Sequence, residues 1–136
     1  MPGGQQLSAE PSHKIGGLKH LAAAQRYSLS GLGRLWQETA FRHEVAALAA
    51  SLMFFAAIGA QALSYVALVM LFLLVVAVEA INTAIEEIID RISPEQSLTG
   101  RHAKDLGSLA VYCGLVAWAL LLITTLATRL GLLPGL

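Results

Sequence analysis

Between Val78 and Asp105 the chain reads VEAINTAIEEIIDRISPEQSLTGRHAKD, which gathers most of its chemically capable groups. At 100° per residue, Glu79, Asn82, Thr83, Glu86 and Asp90 fall within a wedge of roughly 100° on one helix face. The residues before them, Tyr65 to Val78, carry no charge. A polar stripe thus continues an apolar helix. An acidic residue at the centre of a membrane helix costs about 2.5–3.5 kcal/mol, so such carboxylates point to function and need a partner. Carboxylates suit Mg²⁺, a hard cation that takes one or two of them together with substrate phosphates. A desolvated carboxylate also suits a general base. Lys104 and Asp105 stand at the mouth of the next apolar run, where a lysine can hold a phosphate as a point charge. The usual nucleotide loops are missing: there is no G-x-x-x-x-G-K-[ST], and Gly31-Leu32-Gly33 lacks a third glycine. His43-Glu44 has no second histidine at zincin spacing, and no Cys/His cluster exists. These residues describe an acidic metal site at a membrane boundary. They leave a kinase and a cation or proton translocator both open.

The elements that must position these groups follow from composition. Of 136 residues, 56% are hydrophobic and only 13% charged, far from a soluble domain. The length allows one unit, read as a single membrane domain over 12–136 after a polar, disordered 1–11. Zero net charge gives nucleic-acid binding no electrostatic support. The fold class is all-α and polytopic, with an amphipathic surface helix ahead of three transmembrane helices. Leu29, Leu32, Leu35 and Trp36 repeat at helical spacing from 12 to 44, with Gly16, Gly17, Gly31 and Gly33 expected to weaken or break that segment. The spans are expected at about 45–63, 64–92 and 98–127. Gly59-Ala60-Gln61 makes a very short connection, Ser93-Pro94 ends the second helix, and Ser97 or Thr99 caps the third. The second helix, roughly 43 Å long, exceeds the hydrocarbon thickness of about 30 Å, so its acidic end emerges at one interface. Cys113 reads as a small buried hydrophobe. Ala46, Ala47, Ala49, Ala50 and Ser51 permit close helix packing.

Eight of the nine Lys and Arg residues lie before Val45 or within 91–104; only Arg129 lies at the far end. The positive-inside rule therefore puts the N-terminus and the acidic stripe in the cytoplasm. ATP is found there.

The segment E-A-I-N-T-A-I-E-E-I-I-D-R (79–91), followed by A-K-D-L-G-S (103–108), resembles the signature of the small bacterial membrane diacylglycerol kinases. E-T-A-F-R-H-E (38–44) is similar to that family's E-x-A-F-R-x-E, and Y-S-L-S-G-L (27–32) to the start of its surface helix. The likeness runs over roughly 19–126. It implies ATP- and Mg²⁺-dependent phosphorylation of diacylglycerol to phosphatidic acid by a homotrimer in the bacterial inner membrane. It further implies Glu79 as general base, Glu38 and Glu86 as metal carboxylates, and Asn82 as their support. Nucleotide contacts carried over are Tyr27, Glu38, Glu86, Glu95, Gln96, Ser97, Lys104 and Asp105. Phe41, Arg42, Glu44 and Ser108 carry over as lipid contacts. Undecaprenol kinases share the fold and the 79–91 motif; A-F-R-H-E favours the diacylglycerol branch. A translocator needs polar groups through the full bilayer depth, and Tyr65 to Val78 supplies none. The bland readings pair Glu79 across a subunit interface, leave Glu87 solvated, and let Lys104 snorkel. A trimer is also expected because three helices would otherwise leave Glu79 facing lipid.

Overall fold

The computed structural model describes residues 17–93, 95 and 97–134. Gln96 and the 1–11 segment lie outside the described residues. The described chain forms four helices: α1 (Gly17–Leu35), α2 (Thr39–Ile58), α3 (Ala62–Ile92) and α4 (Leu98–Arg129). The last three are long and apolar enough to cross a bilayer, and the shorter α1 precedes them.

Local chemistry sets the helix ends. Gly59 adopts φ 64° and ψ 45°, a left-handed turn that glycine enters without a Cβ penalty. Its N–H donates to Ala56 O, and Ala60 N–H to Phe55 O at 2.9 Å, the paired pattern that closes a helix. α2 thus stops at Ile58 rather than continuing to Leu63. It begins at Thr39 because Glu38, extended at φ −76°, stands at its N-terminus. Residues 39–44 therefore belong to the spanning helix and not to the surface one. Ser97 caps α4 as expected, accepting from Gly100 N–H at 3.1 Å, and Ser93 Oγ lies 2.8 Å from Ser97 Oγ. The glycines do not break α1: the helix runs through Gly31 and Gly33. A helical glycine costs only about 1 kcal/mol.

The buried face of α3 carries Leu68, Val75, Glu79, Asn82 and Thr83 in one seam. Its N-terminal half packs with Phe55 and Trp118 into the core. Edge-to-face pairs join Phe55 to Tyr65 at 5.6 Å and Phe72 to Trp118 at 5.9 Å. Trp118 Nε1 donates to Ser51 Oγ at 3.1 Å, and that hydroxyl donates to Ala47 O at 2.7 Å. At the far end Arg129 Nε donates to Ile58 O at 3.0 Å, on the α2 C-terminus. Cys113 is exposed rather than buried. It sits on a face of α4 that the other helices of the chain leave uncovered.

Candidate active site

The seam becomes polar at Glu79. Glu79 is 4% exposed and Asn82 8%, with Thr83 beside them; Glu86 is half-buried and Asp90 exposed. The stripe climbs out of the core toward the α3–α4 turn. Burial of Glu79 is complete within one chain, so it does not face lipid, and that argument for a trimer falls. The reason is that α2 and α4 both pack on α3. Glu44, on α2, is also 4% exposed, and neither of its carboxylate oxygens has a hydrogen-bond partner. Glu38, half-buried at the start of α2, adds a further carboxylate at this end.

Arg34, in the last turn of α1, is the cation among them. Its Nη1 donates to Glu38 at 2.6 Å and its Nε to Glu87. Glu87 is therefore ion-paired, a tie between α1 and α3, rather than simply solvated. The hydrogen bond to Glu38 foremost, then that to Glu87, raises the Arg34 pKa above its ordinary value. Asn82 Nδ2 donates to Glu86 Oε1 at 3.0 Å, so each expected metal carboxylate has one donor.

At the α3–α4 turn a cavity of about 490 Å³ is lined by Asp90, Ser93, Ser97, Arg101, Lys104 and Asp105, among others. Three expected nucleotide contacts, Ser97, Lys104 and Asp105, meet there. Lys104 is ion-paired with Asp90 across the two helices. Arg101 was missing from the sequence reading, although its place three residues before Lys104 puts both on one helical face. Glu95 is exposed and is not among the lining residues; Tyr27 is exposed on α1.

The expected lipid contacts scatter. Phe41 is buried against Trp36, ring centroids 6.0 Å apart. Arg42 is occupied by the α1–α2 turn, donating to Trp36 O, Gln37 O and Thr39 Oγ1. Ser108 is exposed on α4. A mostly apolar groove, also about 490 Å³, runs between α1 and α3 past Leu32, Leu73, Ala77, Ala80 and Thr83 to Arg34 and Glu87. None of the four lines it.

Among the described residues no three His, Cys, Asp or Glu side chains gather as a metal cage. The donor set still fits Mg²⁺, which asks for one or two carboxylates and completes its shell with phosphate oxygens and water. Glu38 and Glu86 are the two that the family resemblance implies. The excess of carboxylates over cations leaves negative charge that a divalent ion would offset.

A family profile for prokaryotic diacylglycerol kinase matches residues 26–126. The chain belongs to that family. A diacylglycerol kinase of a Sinorhizobium species is 56% identical over 107 residues, covering 79% of this chain and 78% of the relative. The Haemophilus influenzae diacylglycerol kinase is 39% identical over 106 residues, 76% of this chain and 88% of its own. That of Escherichia coli K12 is 36% identical over 112 residues, 78% and 91% of the two chains. Membership makes the chain a lipid kinase, and its three bilayer-length helices make it a multi-pass membrane protein.

Proposed function

We propose that this protein transfers the γ-phosphoryl group of Mg²⁺-bound ATP to the free hydroxyl of diacylglycerol, releasing ADP and phosphatidic acid. The observation that carries this reading is a single one. The stripe running from buried Glu79 and Asn82 to half-buried Glu86 and the cavity with Ser97, Lys104 and Asp105 lie at the same end of α3. An apolar-phase acceptor and an aqueous phosphate donor meet only at such a boundary.

Phosphoryl transfer is mainly positioning and charge stabilisation. Glu79 takes the acceptor proton as the hydroxyl oxygen bonds to the γ-phosphorus and the bond to the leaving ADP oxygen breaks. Glu38 and Glu86 would hold Mg²⁺, which would supply positive charge to offset that of the phosphates. Lys104 and Arg101 steady the nucleotide phosphates. The groove between α1 and α3 opens sideways and suits an acyl chain arriving within the bilayer. The cytoplasmic placement of this end rests on the distribution of Lys and Arg. A homotrimer accords with the small-residue face of α2, where Ala46, Ala47, Ala49 and Ala50 are exposed. Phe55, Leu68, Val75 and Trp118 fill the outer half of the seam and offer no ionisable relay, which counts against translocation.

The test is ATP consumption by the purified protein with diacylglycerol and undecaprenol side by side. Faster turnover with diacylglycerol is expected. Preference for undecaprenol reassigns the acceptor, and turnover with neither removes the reading.

A further inference from the structure

Asn82 holds an atom without an obvious place. Its Nδ2 donates to Glu86, but its Oδ1 is buried with no hydrogen-bond partner. Buried amide oxygens are seldom left so. Rotating the amide by half a turn would not help, because it would set Oδ1 against the Glu86 carboxylate, acceptor to acceptor. The facing helix settles the orientation. A Cβ built on Gly107 of α4 would overlap Asn82 Oδ1 and stand 3.2 Å from its Cγ. The hydrogen that glycine carries in that direction therefore points at Oδ1. Cα–H···O contacts of this kind are weak and recur where helices approach closely.

Gly114 gives the contrast. A Cβ there would meet Val75 Cγ2 at 2.9 Å, so that notch is filled by hydrocarbon and serves packing alone. The Gly107 notch is filled by a polar side chain of the active-site stripe. A helix interior disfavours glycine relative to alanine, and here the space it leaves is occupied by Asn82.

We propose that Gly107 is a positioning residue for phosphoryl transfer. It accepts the carbonyl end of Asn82, so that the amide N–H faces Glu86 and fixes that carboxylate in one orientation. This rests on Glu86 as a metal carboxylate. Gly107 also follows Lys104 and Asp105 within one turn of α4, so the cavity side chains and the notch move as one rigid segment.

The test compares Gly107→Ala, Asn82→Ala, their double variant and Glu86→Gln in detergent. The readouts are the side-chain amide resonance of Asn82, where it is present, and Mn²⁺ affinity with a non-hydrolysable ATP analogue, followed by electron paramagnetic resonance. Gly107→Ala is expected to shift the Asn82 amide resonance and weaken Mn²⁺ binding about 10–100-fold, the usual effect of losing a group that orients a ligand. In the Asn82→Ala background the added methyl has nothing to displace, and Gly107→Ala changes affinity less than about twofold, a coupling that a double-mutant cycle reads directly. If Gly107→Ala fails to assemble, the double variant restores assembly. Additive losses, an equally defective double variant, or an unmoved Asn82 resonance overturns the notch and leaves the metal reading standing. Parent-like Mn²⁺ affinity in Glu86→Gln removes the metal reading, and the notch's part in catalysis with it.

Discussion

Glu79 and Glu86 share one face of α3, about 10.5 Å apart along its axis, and exposure rises from the first to the second. The deeper carboxylate suits a lipid hydroxyl, the shallower one the aqueous phosphates. Glu79→Gln is therefore expected to lower kcat about 10²–10⁴-fold, the range of a lost general base. Nucleotide affinity, measured by direct binding, stays near the parent value. Loss of nucleotide binding with normal turnover at saturation would make Glu79 a ligand instead. Lys104 poses a second question, since it already has a partner in Asp90. A charge-assisted phosphate contact is worth about 1.5–3 kcal/mol, so Lys104→Met should raise the KM for ATP about tenfold or more. Asp90→Asn should leave KM much less affected. Equal losses in both variants would make the ion pair structural. The spacing of the stripe was legible in the sequence because helical period alone decides it. The partners of Arg34, the burial of Glu44 and the Gly107 notch were not, since each depends on which helix faces which.

The helix ends follow the turn chemistry that the sequence displays, at Gly59 and Ser97, and these were readable. The start of α2 was not. Thr39 to Glu44 look amphipathic, yet Arg42 and Glu38 secure the α1–α2 turn around them. Exposure of Cys113 is illegible in the sequence for a related reason: in a bilayer, apolar character does not distinguish a core face from a lipid face. Trp118 shows what does lie inside. Its hydrogen bond to Ser51 joins α4 to α2 in the core. Interhelical bonds in membranes contribute about 0.6–2 kcal/mol, so Ser51→Ala, which keeps the indole, should destabilise by at least that amount while leaving ATP turnover near the parent level. Reversible unfolding in mixed micelles measures it, and unchanged stability would deny the bond a net contribution. The edge contact with Phe72 survives in the variant, which isolates the polar part.

For the molecule as a whole, one chain suffices to bury Glu79, and the case for assembly rests on the exposed alanine face of α2 and on what the family resemblance implies. Native mass measurement in mild detergent should show a homotrimer; a fully active monomer would refute it. Spans and their number were legible from length and hydropathy, whereas burial within a single chain was not, because three helices packed closely enough to close over an acid leave no trace in composition. The three residues between α2 and α3 have one more consequence, for how the protein is made. Gly59, Ala60 and Gln61 leave a nascent chain too little slack to place the two helices one after the other. The two are expected to enter the bilayer as a hairpin, with α2, the least apolar of the three spans and the bearer of Glu44, carried in by its more hydrophobic neighbour.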